Sequence, residues 1–196
     1  SVAAVGGSNH CGAMDYYAMM AADAGMIGIA TTNALPTMAP WGGIDKSLGI
    51  NPLAIAMPGE PVLVFDGAFS ASSHGKIRVF EQKGATLAEG WASDAAGNPT
   101  TDPAAAAEGL LQPIGAYKGT DLALMMGLLS TLLSGAAFGT ELGNIIDGPK
   151  AGADGHFLAA IDVAAFVPAE DFAARLASIA EGLRAGAMAP GHERIH

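Results

Sequence analysis

Five histidines, one cysteine and a scatter of carboxylates are the groups in this 196-residue chain whose types could do chemistry. His10 is the most suggestive of them. It lies in Val5-Gly6-Gly7-Ser8-Asn9-His10-Cys11-Gly12, between a short strand-like run and a helix-like run. Glycines there let the backbone take positive φ and let a ligand approach closely. An imidazole held in such a turn can exchange a proton near neutral pH. The bland alternative is a histidine that is exposed or merely shapes the turn. Asp66-Gly67-Ala68 ends an apolar run and reads either as a ligand contact at a strand terminus or as a helix cap, the commoner use of Asp. Tyr117-Lys118-Gly119 stands at the mouth of an apolar helix, where a lysine opposes the helix dipole. An anion held there, or an ordinary surface lysine, accounts for it.

Other chemistries lack their motifs. There is no Gly-x-Gly-x-x-Gly after a strand, no Gly-x4-Gly-Lys-Ser/Thr and no Gly-x-Ser-x-Gly. A standard Rossmann domain, a P-loop and a hydrolase elbow are therefore unsupported. His192 and His196 have helical spacing but no third ligand, so no metal site is expected. Cys11 is the one cysteine, which rules out an intramolecular disulfide and points to a reducing cytoplasm.

Composition narrows the partners. The chain is 51% hydrophobic and 14% charged, which excludes a disordered chain and allows one domain with a sizeable core. With a net charge of -10 and no Lys or Arg before Lys46, it has no basic patch for a nucleic-acid backbone. Residues 122–139 carry no charge, but Gly127, Ser130, Thr131, Ser134 and Gly135 dilute the run. A buried helix is expected there rather than a membrane span. The chain opens as if inside a strand and stops abruptly, so a piece of a longer protein is expected.

The elements that must position these residues follow from hydrophobic patterning. Strands are expected over residues 2–5, 26–32, 53–57, 62–65 and 157–161, with 53–57 and 62–65 forming an antiparallel pair in the core. Helices are expected over 15–24, 73–83, 121–134 and 168–184, and residues 104–111 read as a short helix or an irregular segment. Residues 33–43 hold two prolines and two glycines, which predicts a loop without regular structure. It is unusually apolar for a solvated loop, so it should line something. Residues 84–103 read as polar and turn-rich. The mixture gives an α/β class.

Taken together, these blocks resemble the malate/L-lactate dehydrogenase type 2 family, which includes ureidoglycolate, sulfolactate and diketogulonate enzymes and cyclic imino-acid reductases. The resemblance rests on Ser8-Asn9-His10-Cys11-Gly12, Thr32-Asn33-Ala34, Ala39-Pro40-Trp41-Gly42-Gly43 and Gly49-Ile50-Asn51-Pro52-Leu53-Ala54. It continues through Phe65-Asp66-Gly67-Ala68, Gly75-Lys76-Ile77, residues 97–103, Tyr117-Lys118-Gly119, Gly155-His156-Phe157 and Pro190-Gly191, covering essentially the whole chain. It implies a non-Rossmann NAD(P)-binding α/β fold, a mixed sheet with flanking helices. The implied reaction is hydride transfer between NAD or NADP and a small 2-hydroxy or 2-oxo acid. His10 falls at the family's active-site histidine, where a neutral imidazole would take the hydroxyl proton. Asn33, Ala34, Asp66, Gly67, Ala68, Phe69, Ser70, Tyr117 and Lys118 fall at cofactor-contacting positions. A homodimer is implied as well.

The sequence departs from the family's pattern in places. Cys11 stands where an aromatic is common, Ala34 where a serine often contacts cofactor, and Ala116 where glycine is frequent. Family members also carry an N-terminal helical region with substrate-holding residues, and a segment near the cofactor after the point where this chain stops. The chain therefore reads as the central NAD(P)-binding and catalytic region, residues 1–196, of a longer enzyme. Three alternatives stand beside a hydroxy acid dehydrogenase: a cyclic imino-acid reductase, a cofactor-binding or interaction fragment without turnover, and a hydrolase or isomerase pairing His10 with Asp66.

Overall fold

The computed structural model describes residues 1–143 and 153–195. Strand β1 (Val2–Ser8), helix α1 (Asp15–Asp23) and strand β2 (Met26–Thr32) open the chain. Short strands β3 (Pro36–Met38) and β4 (Leu48–Gly49) precede the longer β5 (Leu53–Met57) and β6 (Leu63–Gly67). Helix α2 (His74–Gln82), β7 (Ala92–Ser93), β8 (Pro99–Thr100), helix α3 (Pro103–Glu108) and β9 (Leu110–Leu111) build a lobe of small elements. Helix α4 (Tyr117–Leu132), β10 (Asp154–Asp162) and helix α5 (Ala169–Arg184) complete the fold.

The main sheet runs in the order β1-β10-β2-β5-β6. Each of its four pairings is antiparallel, so the sheet is not the mixed one expected. The reason is topological. β10 returns from the C-terminal part of the chain and inserts between β1 and β2, running against both, while β5 and β6 are joined by a short turn. Helix α1 crosses β2 and β5, placing Met14, Ala18 and Ala22 on Ala30, Ala54 and Ala56. The small residues are what let it sit so close. A side chain at Gly28 would collide with the Ala18 backbone. A second core gathers Met38, Phe69, Ile77, Leu87, Leu111 and Ala123 beneath α2, α3 and α4.

Three expectations change in the folded chain. The strand foreseen at 62–65 exists as β6 and pairs antiparallel with β5, but it is an edge rather than core. Val64 is 41% exposed and Phe65 52%, because β6 has a neighbour on one side only. The loop at 33–43 contains strand β3 after all, paired with β4 and with Met38 fully buried. The polar stretch at 84–103 includes β7 and β8, which join β9 in a three-stranded sheet. Its tip remains a surface loop, in which the Asp94 carboxylate accepts from the backbone N–H groups of Ala96 and Asn98. Those bonds lower the Asp94 pKa.

Helix ends follow local chemistry. Ser73 caps α2 by accepting from the Lys76 N–H at 3.1 Å. Asp102 caps α3 through the Ala104 N–H, with Pro103 as the first helical residue. Helix α4 begins at Tyr117, a full turn before the expected start at 121. It ends at Leu132, and the hydroxyls of Ser130 and Thr131 bond back to the carbonyls of Met126 and Gly127. Among the described residues no helix is long and apolar enough to cross a membrane.

Candidate active site

The pairing of β1 with β10 shifts register between Val5 and Ser8, around Gly6 and Gly7. Gly7 has φ +66°, and a side chain at Gly6 would meet the carbonyl oxygen of Ser134. This bulge turns the chain off the sheet and presents the exposed His10. Among the described residues its ring is held by the Gly12 backbone N–H, which donates to Nδ1 at 3.1 Å. Gly12 has φ +85°, so the turn favours glycine. With Nδ1 accepting, the proton of the neutral ring resides on Nε2, which has no hydrogen-bond partner among the described residues.

His10 lines a cavity of about 610 Å³ together with Thr32, Ala34, Lys46, His74 and Asp154. The residues converge from separate elements: the end of β2, the loop after it, the first residue of α2 and the first residue of β10. Lys46 Nζ also donates to the Glu108 carbonyl at 2.8 Å, which ties that wall to the C-terminal end of α3. As anticipated, the apolar loop lines something, since Asn33, Ala34, Leu35, Pro36 and Thr37 all face this cavity.

Behind His10 lies a buried polar row to which the sequence pattern assigned no role. His156 belongs to β10 rather than preceding a strand, and is 7% exposed. Its Nδ1 is 2.7 Å from Thr32 Oγ1, and the Thr32 hydroxyl is within reach of the carbonyls of Asn33 and Gly155. The Thr32 hydroxyl thus lies between the His156 ring and two backbone carbonyls, and the direction of the His156–Thr32 bond follows the tautomer of the ring. Burial lowers the His156 pKa, against the pull of the Asp154 carboxylate. Burial likewise raises the Asp154 pKa, against the pull of His156 and His10. The Cys11 thiol, 3.7 Å from His156 Nδ1, is raised chiefly by burial too. Alternation along a strand was the available signal, since Asp154 and His156 share one face of β10.

The remaining expected site residues fall into two groups. Asn33 and Ala34 join His10 at the cavity, but the Asn33 amide is bonded to the backbone at both its nitrogen and its oxygen. Its Nδ2 donates to the Ala137 carbonyl at 2.7 Å and its Oδ1 accepts from the Gly155 N–H at 3.0 Å. The second group is the run Asp66, Gly67, Ala68, Phe69 and Ser70 with Tyr117 and Lys118. Phe69 and Ser70 are buried, and the Ile114 N–H donates to the Phe69 carbonyl at 3.0 Å. A side chain at Gly119 would strike the backbone of Ile114 and Phe69, so the start of α4 lies directly on this run. Asp66 does serve as a cap, though not for the next helix: its Oδ2 accepts from the Asp15 N–H of α1 at 2.9 Å.

Lys118 is exposed in the first turn of α4, whose N-cap residue Ala116 offers no capping side chain. Ala116 itself has φ +58°, a conformation disfavoured for any residue with a Cβ. That strain accounts for glycine being the residue expected at this position. An uncapped helix start with a lysine in its first turn is a local environment that favours an anion. Among the described residues no cluster of three or more metal-ligating side chains occurs. His196, half of the terminal histidine pair, lies outside the described residues.

Comparison with known proteins identifies the family. The family model described as malate/L-lactate dehydrogenase matches residues 1–196. The malate dehydrogenase of Pyrococcus horikoshii is 39% identical over 96% of this chain and 54% of its own length. Its solved structure superposes with a TM-score of 0.85 over 100% of this chain, at 34% identity and 55% of its own length. The (2R)-3-sulfolactate dehydrogenase (NADP(+)) of Chromohalobacter salexigens is 40% identical over 83% of this chain and 50% of its own length. The ureidoglycolate dehydrogenase (NAD(+)) of Escherichia coli K12 is 36% identical over 100% of this chain and 57% of its own length. The chain thus spans about half the length of the relatives it matches. With a family model covering every residue and these identities sustained along the chain, the protein belongs to the malate/L-lactate dehydrogenase family.

Proposed function

We propose that this chain is the NAD(P)-binding and catalytic region of an oxidoreductase acting on a small 2-hydroxy or 2-oxo acid. The observation that carries the reading is His10, fixed by Gly12 at the rim of the 610 Å³ cavity with Nε2 as its free nitrogen. A bound nicotinamide cofactor supplies or accepts the hydride. The protein's own part is proton management and positioning. To hand on a proton, the ring must first be protonated on Nδ1 as well, giving up its bond to Gly12; the imidazolium Nε2 proton then passes to the oxygen of a 2-oxo acid as hydride reaches its carbon, which leaves a neutral ring. To take a hydroxyl proton instead, the ring must give up its bond to Gly12 and expose an unprotonated nitrogen.

The residues fit the cofactor in two places. Ala34, beside His10, faces the cavity where chemistry occurs, and its missing hydroxyl leaves backbone and shape to do the contacting. Lys118 and the uncapped start of α4 suit the anionic part of the cofactor, next to Gly67, Ala68, Phe69 and Ser70. The relatives include both an NAD(+) and an NADP(+) enzyme, so either cofactor belongs to the reading. Malate, sulfolactate and ureidoglycolate are the substrate types that the relatives' names bring forward.

A homodimer in a reducing cytoplasm completes the proposal. Exposed Leu122, Met125, Leu129 and Leu132 form an apolar line on α4, which supports pairing with a second copy. The single Cys11 supports the compartment. A fluorescence titration with NADH and with NADPH, followed by turnover assays on malate, sulfolactate and ureidoglycolate, tests the whole reading. Saturable binding with turnover of one of the acids is expected. Binding without turnover favours the fragment reading, and no binding of either cofactor overturns the proposal.

A further inference from the structure

Residues Ile50, Asn51 and Pro52 are hydrogen-bonded to Phe69, to Ala34 and the strand before it, and to helix α4, whose first turn carries Lys118. The Ile50 carbonyl accepts from the Phe69 N–H at 3.1 Å. Asn51 Oδ1 accepts from the Ala34 N–H at 2.9 Å, and its Nδ2 donates to the Ala123 carbonyl of α4 at 2.7 Å. The Pro52 carbonyl accepts from the Thr31 hydroxyl at 2.8 Å, on the strand leading to Ala34. The backbone bonds at 50 and 52 need no particular side chain at those positions. The two made by Asn51 depend on its amide.

We infer that Asn51 is a positioning residue that sets the spacing between the His10–Ala34 cavity and the Lys118 end of the cofactor site. This rests on the cofactor reading given above. Asn51 is 1% exposed, and its amide fills the space where side chains at Gly49 and Gly127 would stand. It has φ +33°, and among residues with a side chain Asn and Asp tolerate the left-handed region best. One short side chain must both accept and donate here, because one partner is an N–H and the other a carbonyl. Asp offers no donor when ionised, Ser is too short to reach both partners, and Gln is too long for the glycine-lined space. Its two partners are the loop at the cavity, through Ala34, and the helix that carries Lys118, through Ala123. That pairing makes the distance between them a property of one amide.

A cofactor with two linked halves reads such a distance directly. Each half binds its own end, and the linked molecule gains affinity only if both ends are correctly spaced. The test compares NADH with reduced nicotinamide mononucleotide and with ADP-ribose, on the purified protein and on Asn51→Asp and Asn51→Ala. Asn51→Asp keeps the acceptor for Ala34 and sets an oxygen against the Ala123 carbonyl. Asn51→Ala removes both bonds. NADH affinity is expected to fall by roughly ten- to hundred-fold in a folded variant, while each half-cofactor changes by less than about three-fold. Lowering the pH so that the introduced carboxyl protonates and can donate should restore part of the NADH affinity in Asn51→Asp. Losses shared equally by NADH and its halves would reduce Asn51 to a general structural residue and overturn the inference. So would unchanged NADH binding, or failure of both variants to fold. Wild-type protein that binds neither NADH nor NADPH would bring down the cofactor reading first, and this inference with it.

Discussion

The backbone N–H of Gly12 donates to Nδ1 of His10 across a single turn, at 3.1 Å. That bond decides which nitrogen of the ring is free, and therefore what the ring can do. A turn with any other residue at position 12 would have to hold φ near +85°, which side chains rarely adopt. The short glycine-bounded sequence is thus a device for orienting one imidazole over a cavity.

Replacing His10 by Asn keeps a polar group but removes the titratable proton. Turnover of the acid substrate should fall by roughly 10²–10⁴-fold. NADH affinity should stay nearly constant, since the group acts in the chemical step. Steady-state kinetics with a parallel NADH titration checks both, and retained kcat would assign proton transfer to another group.

Asp66 has a structural role to be separated from any role toward cofactor. Asp66→Ala removes the acceptor for the Asp15 N–H and should cost about 1 kcal/mol of stability. Asp66→Asn keeps an acceptor and should retain most of that stability. Urea midpoints measure the first effect. If NADH affinity drops in both variants alike, the carboxylate itself also contacts the cofactor.

Lys118→Met keeps much of the bulk and removes the charge. If the ammonium pairs with a phosphate or ribose oxygen, NADH affinity should fall by roughly ten- to hundred-fold. Salt should weaken the wild-type protein's affinity more than the variant's. Equal affinities at low salt would mark Lys118 as ordinary surface.

His156 gives stability a pH dependence of known sign. Its folded pKa lies below the ordinary 6.5 because burial penalises the imidazolium. The unfolded chain therefore takes up a proton first, and stability is lost as pH falls from about 6.5 toward the lowered value. Asp154 acts in the opposite sense. Its raised pKa means that stability declines as pH rises from 3.8 through the raised value. Urea midpoints at pH 7.5 and 5.5 should differ more in the wild-type protein than in His156→Gln. An equal difference in both would place the proton uptake elsewhere.

The sequence by itself determined the longer elements and the character of the turn at His10. Apolar runs of period two and of helical period depend on local pattern, so β2, β5, β10, α1 and α5 lie close to where patterning put them. The missing dinucleotide fingerprint and the glycine-bounded histidine were equally legible, because each is contained in a few adjacent residues. Only the tertiary structure decided what those residues meet. Val64 and Phe65 have the apolarity of core residues, yet β6 takes the sheet edge, since strand order is set by long-range pairing that a local pattern does not encode. Asp66 was recognisable as a cap, but the helix it caps begins 51 residues earlier in the chain. Asp154 and His156 reach the neighbourhood of His10 because β10 pairs with β1 across the length of the chain. Asn51 gave no sign in sequence of joining a cavity loop to α4, because its two bonds run to residues 17 and 72 positions away. Pattern is a property of neighbours along the chain. The site is a property of neighbours in space, and the antiparallel order of the sheet is what converts one into the other.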